Sequence, residues 1–190
     1  AMVRWNDKFG YINKSGEMVI KNNYSKAHSF ADGLAAVYEG KWGFINAKGE
    51  LVIPYKYDNA NDFNSGVALV EEADVLKYID KNGKEVYTPK ASKYYDFTDG
   101  VTIYKIGKKV GLFNTKGEVI VEPKFDEVKP FVNGYAKIQF GGLWGMIDTK
   151  GNYLVEPVYT YIGDYNKQAV VARKGDDIYG LVVNKTFIAI

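Results

Sequence analysis

Glycine returns in this chain at a near-constant interval, and that periodicity limits the folds open to it more than any other feature. Gly16, Gly49, Gly83, Gly117 and Gly151 are separated by 33, 34, 34 and 34 residues. Six residues before each stands Gly10, Gly43, Lys77, Gly111 or Gly145, preceded in turn by Phe9, Trp42, Leu76, Val110 or Trp144. Eight residues after the turn glycine an aromatic recurs as Tyr24, Tyr57, Phe125 and Tyr159, missing only at Ala91. Fourteen after it come Phe30, Phe63, Phe97, Phe131 and Tyr165, and seventeen after it Gly33, Gly66, Gly100 and Gly134, with Gln168 the exception.

Between these anchors the residues read as strands. Leu34 to Tyr38, Trp42 to Asn46 and Glu50 to Ile53 are short, rich in β-branched and aromatic residues, and bounded by Gly, Lys, Asn and Pro. None has the length or the 3.6-residue period of a helix. Gly40-Lys41 and Ala47-Lys48-Gly49 are hairpin-closing connections. Each unit therefore reads as a three-stranded antiparallel meander, whose third strand is expected to end at Pro54, Pro123 or Pro157 because proline cannot donate to a ladder. Six meanders are expected, over about 1–21, 34–54, 67–88, 101–122, 135–156 and 168–190, in one all-β array. Because no strand from one end completes a unit at the other, an open, solenoid-like stack is preferred, with a closed propeller-like ring as the alternative. A meander of this size cannot bury its apolar face alone, so neighbours must supply the burial and the middle units should be the firmest.

Lys41-Trp42-Gly43-Phe44-Ile45-Asn46-Ala47-Lys48-Gly49, followed by Val52-Ile53-Pro54, Tyr57-Asp58, Phe63 and Gly66 to Val70, resembles the bacterial WG-containing repeat family, also called KWG repeats. The resemblance extends over essentially the whole chain. The departures are Leu76-Lys77 in place of Trp-Gly, Phe9 and Val110 in place of Trp, and loss of the turn glycine around Lys185-Thr186. It implies a tandem β-repeat region of a bacterial protein, fused to other domains, and carries no catalytic residue. Choline-binding and toxin-type wall modules are also built from aromatic-rich hairpins, but their repeats are about 20 residues long; only their general mode, aromatic-lined sites between repeats, is a usable analogy.

Composition narrows the chemistry. There is no Cys, which excludes thiol nucleophiles, disulfides and Cys-ligated metals, and the single His28 argues against a His-based metal site. Twenty-five Lys plus Arg against 23 Asp plus Glu leave a net charge of +2 with no basic block, so nucleic acid is not an expected partner. No apolar run approaches the roughly 18 residues of a membrane span, so membrane insertion is not expected either.

His28 has no counterpart in the other units, where Asn61, Tyr95, Lys129 and Gly163 stand, and it reads as a loop histidine. No Ser lies in a Gly-x-Ser-x-Gly elbow. The acidic groups Glu71, Glu72 and Asp74, and Asp176 with Asp177, read as solvated hairpin tips rather than a glycosidase pair. Neither a calcium-loop spacing nor a phosphate-binding glycine pattern occurs.

Recurring aromatics such as Trp42, Phe63 and Phe131 read as pegs between stacked units. Tyrosines that do not recur, namely Tyr38, Tyr55, Tyr87, Tyr104, Tyr153 and Tyr161, are the candidates for an exposed binding surface, since Tyr joins a large apolar face to a hydroxyl. The reading is thus a non-enzymatic binding or scaffold module without cofactor, at a bacterial surface or otherwise extracytoplasmic. Its expected partner is a protein or a cell-wall polysaccharide; a carbohydrate-active hydrolase is the enzyme alternative.

Overall fold

The structure is a computed structural model and describes every residue except Tyr87, Pro89, Lys167, Asp176 and Asp177. Among the described residues there are strands and turns and no helix, and no sheet closes into a barrel. The chain divides into two units, Ala1–Thr88 and Pro89–Ile190.

The first unit holds three antiparallel sheets. The first is β1 (Met2–Trp5), β2 (Lys8–Ile12) and β3 (Met18–Tyr24), in that order. The second is β4 (Lys26–Ala27), β5 (Leu34–Tyr38), β6 (Trp42–Asn46) and β7 (Leu51–Tyr57), and the third is β8 (Asn59–Ala60), β9 (Val67–Glu72), β10 (Val75–Asp80) and β11 (Glu85–Val86). The second unit repeats the plan three times. Its fourth sheet is β12 (Lys93–Tyr94), β13 (Val101–Ile106), β14 (Lys109–Asn114) and β15 (Val119–Phe125). The fifth is β16 (Glu127–Val128), β17 (Tyr135–Phe140), β18 (Leu143–Asp148) and β19 (Tyr153–Tyr159), and the sixth is β20 (Tyr161–Ile162), β21 (Val170–Lys174), β22 (Ile178–Val183) and β23 (Thr186–Ala189).

Six meanders are therefore present, with two differences from the expectation. Five sheets have a fourth strand of two residues, taken from the connecting segment: Lys26 and Ala27, for instance, pair with Tyr38 and Val37. The third strand also does not end at proline. β7, β15 and β19 run through Pro54, Pro123 and Pro157 for several more residues. A bulge makes this possible: Phe44 pairs with Ile53 and Trp42 with Tyr57, so four residues of β7 are spent against two of β6, and the proline needs no ladder partner.

The same bulge explains the glycine of the Trp-Gly pair. A Cβ on Gly43 would lie 2.7 Å from the Ile53 carbonyl oxygen and 3.0 Å from the Tyr55 nitrogen; on Gly145 it would meet Val155 O at 2.6 Å and Pro157 N at 2.7 Å. Backbone crosses backbone there with no room for a side chain. Where Lys77 replaces the glycine, the partner strand β11 covers two residues among those described.

Two turns recur. Asn13, Asn46, Asp80, Asn114 and Asp148 each accept, through one side-chain oxygen, the backbone N–H groups two and four residues on. The second is a two-residue turn with both central residues at positive φ, as at Asp32-Gly33 and Asp99-Gly100. Asp32 and Asp99 also accept the N–H of Gly66 and of Gly134, 34 and 35 residues on, which ties one connecting segment to the next.

The cores lie between consecutive sheets. Phe44, Tyr57, Phe63, Val70 and Ile79 fill the space between the second and third, and Leu112, Phe125, Phe131, Ile138 and Ile147 that between the fourth and fifth. Along the first long strand of the second to fifth sheets, positions two and four point inward: Ala35 and Val37, Ala68 and Val70, Thr102 and Tyr104, Ala136 and Ile138; in the sixth the buried pair is Val170 and Ala172, at positions one and three of β21. In the second to fifth this alternation leaves positions one, three and five to face the seam between sheets.

Candidate functional site

The seam between the fourth and fifth sheets opens into a groove of about 470 Å³. Its floor is apolar, made by Val101 and Ile103 of β13 with Val110 of β14. One wall is the connecting segment at Tyr95, and the other is Glu127 to Phe131 of the next sheet. The wall at Tyr95 is fixed from below. Thr102, nearly fully buried, donates from its hydroxyl to the carbonyl oxygens of Tyr95 at 2.9 Å and Asp96 at 3.0 Å. The other repeats carry Ala35, Ala68 and Ala136 at this position, so the pin belongs to the fourth sheet.

The charges sit at defined places. Lys105 is half-buried in the groove and lies directly opposite Lys93 across the β12–β13 ladder. Like charges in that relation weaken a sheet. The Lys93 ammonium is 4.9 Å from the centre of the Tyr95 ring. Lys129 is held by Glu127 in an ion pair and lies 5.7 Å from the Trp144 ring centre.

The neighbouring seams are closed by side chains. Between the fifth and sixth sheets, Lys137 pairs with Asp164 at 2.8 Å and Tyr135 packs on Tyr165 with ring centres 4.8 Å apart, leaving about 240 Å³. The Lys137 ammonium holds the Asp164 carboxyl below the usual carboxylate range. Between the second and third sheets, His28 Nδ1 lies 2.7 Å from Asp62 Oδ1, and its ring packs 4.8 Å from that of Trp42. Asp62 and Asp164 both stand just before the recurring aromatic. In the groove between the fourth and fifth sheets that place is taken by Pro130, which has no carboxylate to offer.

The described tyrosines among those singled out from the sequence do not line the grooves between the fourth and fifth or the fifth and sixth sheets. Tyr104 must be removed from the candidates: it is 1 % exposed and edge-on to Phe113, with its hydroxyl 3.3 Å from Glu122. It occupies the inward fourth position of β13, where Val37, Val70 and Ile138 stand in the other sheets, so lack of recurrence in residue type did not mean exposure. Tyr38 is half-buried against Trp42, under the Lys26 ammonium at 4.9 Å. Tyr55 is half-buried, and burial pushes its hydroxyl up in pKa. Tyr153 is half-buried on Phe125, and Tyr161 is exposed on β20 opposite Arg173. Tyr87 and the pair Asp176 and Asp177 lie outside the described residues.

Sequence reasoning passed over Tyr95 and Lys129, although the signal was present. The place two residues before the recurring aromatic reads His28, Asn61, Tyr95, Lys129 and Gly163 in five otherwise regular repeats. A position that changes character on a constant frame, and that faces a seam, is where a repeat protein sets what it contacts.

The sequence model of one family, described as "WG containing repeat", matches residues 9–41, 42–74, 78–109, 111–144 and 144–176. No curated protein is significantly similar in sequence. Among solved structures, the chain is similar to a eukaryotic initiation factor, with a TM-score of 0.54 at 9% identity, over 100% of this chain and 61% of that one. It therefore spans less than two thirds of the initiation factor's length, and at this identity the likeness concerns the fold alone. The Kluyveromyces lactis protein Hsv2 (TM-score 0.48, 10% identity, 97% and 70% covered) and the WD40 β-propeller domain of Doa1 (0.33, 15%, 96% and 74%) are also similar.

Proposed function

This chain belongs to the WG containing repeat family, and from that premise we propose that it is a non-enzymatic binding module whose ligand is a polypeptide segment of a partner protein, held in the groove between the fourth and fifth sheets. The observation that carries the reading is the variable seam position. Tyr95 and Lys129 occupy it on opposite walls of one groove, while the turns and the bulges of the two sheets keep the pattern of the repeat. An extended chain fits such a cleft, with an apolar floor for alternate side chains and polar rims for the backbone between them. The absence of Cys and of any serine elbow supports a role without catalysis. Work at a bacterial surface or elsewhere outside the cytoplasm, and attachment to other domains, are part of the same proposal.

The test is selection of a displayed random-peptide library on the full chain, followed by calorimetry of the enriched peptides. Peptides that bind and lose about tenfold or more on Tyr95→Ala, as anchoring aromatics do, support the reading. Absence of enrichment, or binders indifferent both to Tyr95→Ala and to a folded Ile103→Arg variant, would overturn it. A cell-surface polysaccharide is the second reading, favoured by the exposed Tyr161; saturable co-sedimentation with insoluble cell-wall polysaccharide, lost on Tyr161→Ala, would establish it instead.

A further inference from the structure

The seams on this chain share a device that is missing from one of them. At two, a carboxylate standing just before the recurring aromatic reaches back to a nitrogen of the preceding sheet: Asp62 to His28 and Asp164 to Lys137. At the open groove the same place holds Pro130, so that position offers no carboxylate, and the carboxylates that line the groove are Asp96 and Glu127. The cations remain. Lys105 lines the groove, Lys93 faces it across the ladder, and among the described residues neither is ion-paired with a carboxylate. Glu127 is engaged by Lys129, and Asp96 is exposed.

Two features mark the site as built for a charged guest. In the other four-stranded sheets the pair equivalent to Lys93 and Lys105 is Lys26 with Tyr38, Asn59 with Glu71, Glu127 with Gln139, and Tyr161 with Arg173; none opposes two like charges. Such opposition costs stability in the empty protein and is relieved when an anion bridges the two ammonium groups. The buried hydroxyl of Thr102, also peculiar to this sheet, holds the Tyr95 wall in place beside them.

Resting on the peptide-binding reading above, we propose that the partner segment carries an Asp or Glu next to a large apolar residue. Its carboxylate binds Lys105 and Lys93, while its apolar side chain lies on Val101, Ile103 and Val110. The ligand supplies from outside a carboxylate at a seam where the fifth repeat places Pro130.

The peptides selected on the full chain test this directly. They are expected to be rich in Asp or Glu beside Leu, Ile, Phe or Trp, and changing the acidic residue to its amide should weaken binding about tenfold or more, as for loss of a charge-assisted bond. Pro130→Asp, which restores the internal carboxylate, should compete and weaken the same peptides, whereas Pro130→Asn should leave them nearly unchanged; circular dichroism checks that both variants fold. Groove-dependent binders with no acidic bias, or acidic binders indifferent to Lys105→Gln with Lys93→Gln, would overturn this inference and leave the peptide-binding reading standing. If no selected peptide depends on the groove, the peptide-binding reading itself fails.

Discussion

Gly43 shows how one residue type sets the geometry of a repeat. Its missing side chain lets β7 cross β6 closely enough to bulge, and the bulge carries Pro54 and returns Tyr57 to the core opposite Trp42. Gly43→Ala should destabilise the chain by about 1–3 kcal/mol, as for other overpacked sites that must shift backbone, read as a lower midpoint in urea with an unchanged slope. An unaltered midpoint would mean that the crossing is loose enough to admit a methyl group. At this scale the sequence was informative about backbone and poor about exposure. Turn and crossing glycines recur because their conformation or proximity leaves no alternative, so spacing alone locates them. Tyr104 is the counterexample: its hydroxyl suggested a surface, and only the inward alternation of β13 reveals that it stands where Val and Ile stand elsewhere.

At the scale of the strand and its connections, within each unit one sheet's last strand runs into the next sheet's first across a single residue. β7 passes through Asp58 into β8, and β15 through Asp126 into β16. Each of these carboxylates is bonded twice: Asp58 to the Lys41 ammonium and the Ala73 N–H, Asp126 to the Lys109 ammonium and the Gly141 N–H. Lysine and the backbone N–H hold both carboxyls below the usual carboxylate range. A carboxyl depressed in the folded state stabilises fully above its unfolded value of about 3.9 and loses that contribution as pH falls through the folded value. Thermal midpoints followed from about pH 5 to about pH 2 should therefore fall more gently in a variant carrying Asp58→Asn and Asp126→Asn than in the parent. Identical slopes would show that these connections contribute nothing to acid sensitivity. The two-residue first strands were not legible in advance, because segments as short as Lys26–Ala27 have no periodicity to detect and are fixed by the neighbouring β5. The groove was hidden for a related reason: it is assembled from residues about 35 apart, and its components are marked only by their failure to repeat.

For the molecule as a whole, the division after Thr88 coincides with the sheet that has lost the Trp-Gly pair. Leu76 and Lys77 replace it, and among the described residues β11 covers Glu85–Val86. The second unit has its own cores between the fourth and fifth and between the fifth and sixth sheets. Residues 90–190 expressed alone should accordingly give a cooperative thermal transition and a dispersed amide spectrum. A fragment without either would show that burial supplied by the first unit is indispensable. The all-β class was readable from spacing and the family from its resemblance around Trp42-Gly43; the choice of seam was not, since it turns on Pro130 and Thr102, two substitutions that look unremarkable outside their setting.

The strand that leaves one sheet and enters the next has a consequence for how such a chain can lengthen. Duplication by unequal recombination need not respect any boundary between sheets. A copied stretch of 33 or 34 residues taken in any phase restores one outgoing strand, one incoming strand and one seam. Each such event also adds one new position equivalent to Tyr95, on which mutation can act without disturbing the frame. Such a gene can therefore extend its series of seams one at a time, much as text is extended by a letter.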